Sequence, residues 1–124
     1  MKHWNRMAAA LCALALTQVV SAQQGPIRIA GLVELSGTGA TSGTNFDNGV
    51  KLAVKEINAA GGILGRKVEY TSSDTQSNPQ IAKALAQKAV DEGVYVVMGP
   101  VFSGSIIVSM AETRRAEIPN FTGG

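Results

Sequence analysis

The sequence predicts an α/β fold, an open parallel sheet with helices on both faces in the order β-α-β-α-β-α-β. Two observations predict it. Short β-branched or apolar runs occur near Ile27, Val68, Tyr95 and Ile118, and stretches with apolar residues at helical spacing lie between them. Gly or Pro punctuates most changes from one period to the other, as at Gly61-Gly62, Asn78-Pro79, Gly93 and Gly99-Pro100.

The first strand is Ile27-Arg28-Ile29-Ala30-Gly31-Leu32-Val33, apolar enough to be mostly buried. A Gly/Ser/Thr loop is expected from Ser36 to Thr44. The first helix should then begin near Asn45, capped by Thr44 with Asp47 three residues on, and end at Gly61-Gly62. Its apolar positions are Phe46, Val50, Ala53, Val54 and Ile57, with Lys51, Lys55 and Glu56 mainly outside. Residues 67 to 73 alternate Val68, Tyr70 and Ser72 with polar neighbours, as a strand nearer a sheet edge would.

Asn78-Pro79 opens the second helix, because Pro fits the first helical position. Ile81, Leu85, Ala89 and Val90 make its expected apolar face, and Gly93 ends it. Tyr95 to Met98 form a third strand, closed by Gly99-Pro100. A third helix from about Ser103 to Ala116 should turn Ile106, Ile107, Met110 and Ala111 inward, with Arg114-Arg115 favourably placed at its negative end. Ile118 to Thr122 is a fourth strand, and the sequence given stops at Gly123-Gly124, which points to the front part of a longer protein.

Residues 1–22 carry a separate signal. Lys2 and Arg6 form a positive start, Met7 to Leu16 is an apolar run, and Val20-Ser21-Ala22 offers small residues for cleavage before Gln23. A membrane-spanning helix needs about 20 apolar residues, roughly twice this run. Cys12 lies mid-run behind Leu11, so a lipoprotein attachment point is rejected. Cleavage leaves 102 residues, 23–124, with nine basic against nine acidic side chains. His3, Trp4 and Cys12 leave with the signal. A mature chain without His or Cys has no Ser-His-Asp triad, no Cys nucleophile and no His/Cys metal site. No cofactor is expected, and zero net charge argues against nucleic acid.

Ligands of open parallel sheets sit beyond the carboxyl ends of the strands. Small, donor-rich residues fall at three such ends, in Ser36 to Gly43, in Gly99 to Ser105 and in Thr122-Gly123-Gly124. Ser103-Gly104-Ser105 opens a helix, so a hydroxyl and free N–H groups would meet a carboxylate or another small anion there. The alternative is that Ser103 is only an N-cap. Gly37 to Gly43 approaches a dinucleotide fingerprint, but the helix is expected to start too late and Asp74 lies 31 residues past Gly43. Gly61 to Lys67 is read as a turn, and Glu69 with Asp74 as solvated or capping acids before an acid–base pair.

Ile29-Ala30-Gly31-Leu32 through Leu35-Ser36-Gly37, Asn48 to Val54, Glu56 to Val68, Asp74 with Asn78-Pro79, and Gly99-Pro100 with Ser103 together carry a resemblance. They resemble the amino-terminal lobe of periplasmic substrate-binding proteins of the leucine/isoleucine/valine-binding type, which serve ABC importers. The similarity covers nearly all of residues 27–124, and Asn58 to Val68 is its most specific part. It implies two α/β lobes closing on a ligand, of which this chain holds the first part of lobe one. It also implies that Ser103 holds an amino-acid carboxylate, helped by N–H groups beyond the fourth strand near Gly124.

Ser42 stands where some relatives place an aromatic over the ligand, which opens specificity to polar, small or aromatic ligands as well as branched-chain ones. Ser77 and Phe102 stand where some relatives carry a disulfide, so the lobe must fold without that staple. The candidate ligand-binding set is therefore Ser103, Gly104, Ser42, Thr122, Gly123 and Gly124. By the resemblance, a monomeric periplasmic solute-binding protein would deliver an amino acid or similar carboxylate to an inner-membrane permease, without enzymatic activity. A ligand-sensing receptor domain on the same lobe and a secreted carboxylate-using α/β enzyme are the alternatives.

Overall fold

A computed structural model describes residues 25–124, and the signal-peptide reading of residues 1–22 lies outside the described residues. Four strands and three helices alternate: β1 (Ile27–Val33), α1 (Ala40–Ala59), β2 (Val68–Asp74), α2 (Pro79–Asp91), β3 (Val96–Met98), α3 (Ser103–Arg115) and β4 (Asn120–Phe121). All strand pairs are parallel, in the order β2-β1-β3-β4. The chain therefore moves one way from β1 to β2 and the other way from β1 through β3 to β4, which puts a topological switch point between β1 and β3. β2 is an edge strand, as its alternating pattern predicts.

Successive residues of a strand face opposite sides of the sheet. On one side Ala30, Leu32, Val97 and Ile118 pack with Leu85, Ala86, Ala89 and Val94, which makes the hydrophobic core beneath α2 and α3. On the other side Ile29 and Met98 face α1. Gly31 is required on the α1 side, because the Tyr70 ring occupies the space its Cβ would take. The Tyr70 hydroxyl donates to Asp47 Oδ1 at 2.8 Å, and Lys51 pairs with the same carboxylate at 2.6 Å. α1 is thus pinned by a buried polar cluster as well as by apolar contact.

The stretch from Asn58 to Val68 has its own logic. Asn58 Nδ2 donates to the Val68 carbonyl and the Val68 N–H donates back to Asn58 Oδ1, both at 2.8 Å. The side chain splints the end of α1 to the start of β2. Between them Ile63 and Arg66 exchange two backbone hydrogen bonds across a tight turn, with Leu64 and Gly65 both at positive φ.

Three expectations need correction. First, α1 begins at Ala40, five residues before Asn45, and its N-cap is Gly39 rather than Thr44. Gly43 lies inside the helix because the helix backbone presses on the Glu34 backbone, where any Cβ would collide. Second, the apolar positions of α1 are not deeply buried: its buried residues are Gly43 and Asp47. Phe46, Val50, Ala53, Val54 and Ile57 line an open groove of about 510 Å³ with Ile29 and Met98.

Third, α3 buries Ser105, Ser109, Glu112 and Thr113, while Ile107 and Met110 are 70% and 45% exposed and Ala111 is also exposed. α3 packs against α2, whose buried residues are Ala82, Ala86 and Ala89, and Ser109 Oγ meets the Ala82 carbonyl at 3.5 Å. Close approach of two helices favours small side chains at the seam, whatever their polarity. For the same reason the deepest residues of α2 are these alanines, with Ile81 and Val90 only half-buried.

Candidate functional site

The site lies at the carboxyl ends of β1, β3 and β4, on the switch-point side of the sheet. The β1–α1 loop is held by two side chains, one from the last residue of β2 and one just beyond it. Asp74 Oδ1 accepts the N–H groups of Leu35, Ser36 and Gln76 at 2.9, 3.1 and 2.8 Å. Burial alone would raise the Asp74 carboxyl, but the Ser36 hydroxyl and these backbone N–H groups outweigh it and hold it below its ordinary value. Ser77 Oγ donates to the Ser36 carbonyl at 2.8 Å and accepts the Gly39 N–H at 2.9 Å. Asp74 Oδ1 shapes this loop, a structural role that favours the capping reading over an acid–base pair with Glu69.

A third brace was not legible as a site residue. Glu34, immediately after β1, is completely buried. Its carboxylate oxygens accept the N–H groups of Val101 and Phe102 at 3.0 and 3.3 Å. The only sequence signal was an acidic residue at the end of an apolar strand, which alone does not distinguish a buried brace from a solvated one.

Ser103 is the first residue of α3, and Phe102 is the N-cap, with no side-chain cap bond. The capping alternative for Ser103 therefore falls, and both Ser103 and Gly104 are exposed. The N–H groups of the first helical turn have no intrahelical partner, so Ser103 and Gly104 present donors at the positive end of α3. Gly104 sits at the start of α2 as well, since a Cβ there would touch Pro79 Cγ at 3.4 Å.

Gly123 donates its N–H to the Pro100 carbonyl at 3.1 Å, and a Cβ on it would lie 2.8 Å from Phe46 Cδ2. Gly124 lies against the Val101 carbonyl. Thr122 is half-buried, with its hydroxyl 3.3 Å from the Gly124 carbonyl. The fold thus brings Gly123 and Gly124 onto the loop that leads into Ser103. Ser42 is exposed in the first turn of α1, at the same end of the sheet.

Helix α1 does begin within the glycine run, so that ground against dinucleotide binding is withdrawn. The acidic partner is still displaced, because Asp74 closes the loop on itself.

Residues 26–123 match the periplasmic binding protein family. The chain is 41% identical over 81 residues to the Leu/Ile/Val-binding protein BraC3 of Rhizobium johnstonii, covering 65% of this chain and 22% of that protein. Among solved structures it is similar to the branched-chain amino acid transporter substrate-binding protein LivJ of Streptococcus pneumoniae in complex with isoleucine. There the TM-score is 0.76 and the identity 36%, over 78% of this chain and 28% of that one. It is also similar to an ABC transporter solute-binding protein of R. palustris in complex with benzoate, with a TM-score of 0.70 and 28% identity, over 79% of this chain and 27% of that one. The chain spans less than a third of the length of these relatives.

Proposed function

The chain belongs to the periplasmic binding protein family, and from that premise we propose that it forms the front of lobe one of a two-lobed solute-binding protein. In this reading residues 1–22 direct export and are removed, and the mature protein works in the periplasm. It takes an amino acid or a similar small carboxylate between its lobes and hands it to an ABC permease in the inner membrane. Ser103 and Gly104 meet the ligand carboxylate, Ser42 lies over the side-chain end, and Thr122 to Gly124 close the cradle.

The observation that carries the reading is the convergence of the β1, β3 and β4 ends. Three loops meet there, no side chain takes the Ser103 and Gly104 N–H groups, and the glycines leave the backbone approachable. Binding acts through domain closure, because only the closed state touches the ligand from both lobes.

The test is a thermal-shift panel of leucine, isoleucine, valine and benzoate on the protein carrying both lobes. A saturable rise in melting temperature, with the ligand recovered unchanged, is expected. Turnover of the ligand would move the assignment to an enzyme, and a silent panel of small carboxylates would remove the ligand class. Amino-terminal sequencing of the exported protein should begin at Gln23.

A further inference from the structure

Glu34 has a position that bracing alone does not use up. Its side chain passes directly beneath the N-cap of α1, since a Cβ on Gly39 would lie 3.0 Å from its Cβ and Cγ. The same carboxylate receives the Val101 and Phe102 N–H groups at the N-cap of α3. The Glu34 methylenes therefore support the N-cap of α1, while the buried carboxylate itself meets the N-terminal end of α3. Among the described residues no cation pairs with it; the ion pairs involve Asp47, Glu92 and Glu112 instead.

Each helix N-terminus is equivalent to about half a positive charge. The α3 terminus therefore offsets only about half of the Glu34 charge, so the mouth of the site stays net negative before any ligand arrives. The donors left over, at Ser103 and Gly104, lie one and two residues beyond the Phe102 N–H that Glu34 has taken.

We infer that Glu34 is a positioning residue that sets the charge class of the ligand: its buried carboxylate makes the cradle favour a zwitterion over a simple carboxylate anion. This rests on the proposed reading of the cradle as the carboxylate site. A ligand carboxylate on Ser103 and Gly104 is repelled by the buried acid, and a ligand ammonium group is attracted by it. Leucine carries both charges, whereas benzoate or acetate carries only the first. The two ligand classes seen in similar structures, isoleucine and benzoate, differ in this respect. Glu34 thus discriminates without touching the ligand, because it is wholly buried.

The experiment reads the Ser103 and Gly104 amide resonances of the full chain by NMR during titration with acetate and, separately, leucine. In Glu34→Gln, an isosteric neutral variant, acetate should bind about tenfold more tightly, while leucine changes by less than about threefold. Glu34→Asp keeps the charge and should keep the original preference. An unchanged acetate-to-leucine ratio in Glu34→Gln overturns the inference, even if the variant is less stable.

If the unaltered chain answers to neither probe, a new acetate response in Glu34→Gln supports the inference. If acetate binds and leucine never does, in the unaltered chain and in both variants, the zwitterion preference is overturned together with the amino-acid reading. If neither probe moves the Ser103 and Gly104 amides in any of the three, the reading of the cradle as the carboxylate site falls first, and the inference with it. Should Glu34→Gln fail to fold, the unaltered chain decides: acetate binding as tightly as leucine at these amides overturns the inference, and tighter leucine binding supports it.

Discussion

Asp47 shows how a single residue can hold a helix to a sheet. Burial alone would raise its carboxyl, but hydrogen bonds from Lys51, Tyr70 and Ser72 and the Lys51 charge outweigh burial and leave it below its ordinary value. The same contact and its own burial push the Tyr70 hydroxyl far above the ordinary tyrosine value, so it stays a donor throughout the working pH range. A lowered folded-state value means that this stabilisation is complete above the unfolded value. It is lost as pH falls through the folded one. Urea midpoints recorded against pH should therefore drop on the acid side, and Asp47→Asn should flatten that limb. At neutral pH the same variant should lose about 1–3 kcal/mol, since Tyr70 and Lys51 are left poorly matched. Little of this was legible in the sequence, where Asp47 read as a capping acid for a helix that begins seven residues earlier. Ser103 was legible, because a hydroxyl at a strand-to-helix junction is a local pattern. Glu34 was not, because its partners lie 67 and 68 residues away.

At the level of elements, periodicity located the four strands and three helices of the described residues but misplaced the buried face of α3. α2 is the clear success: Asn78 caps it through its side chain, which accepts the Gln80 and Ile81 N–H groups, and Pro79 occupies the first helical position. Asn78→Ala should cost about 1 kcal/mol in chemical denaturation. α3 is the instructive failure. Its isoleucines and methionine suggested the core side, yet Ser105, Ser109 and Thr113 are buried positions, with Ser109 against Ala82 of α2. Ser109→Leu should therefore destabilise the fold by about 1–3 kcal/mol, whereas Ile107→Gln should change it by less than about 0.5 kcal/mol. Equal or reversed effects in thermal melts would contradict this packing. The start of α1 makes the same point. Gly43 read as part of a small-residue loop and is instead a contact between helix backbone and the Glu34 backbone. Gly43→Ala should lower stability by about 3 kcal/mol, despite alanine's better helix propensity.

For the whole molecule, the parallel order β2-β1-β3-β4 creates the crevice, and the loops that fill it come from three distant parts of the chain. In the proposed two-lobed protein each lobe contacts the ligand from one side, so residues 23–124 by themselves should bind leucine weakly or not at all. Isothermal titration is expected to give at best about millimolar dissociation. Micromolar binding by this chain would show that the cradle needs no opposing lobe. The sequence by itself determined the alternation of strands and helices, the parallel sheet, the family and the small-residue loops, because each is written in local spacing or in contiguous motifs. Only the tertiary structure decided which faces are buried, where α1 begins, and that a buried glutamate meets the N-terminal end of α3. Those outcomes depend on how closely one backbone approaches another and on hydrogen bonds between residues far apart in sequence. Neither leaves a periodic trace along the chain.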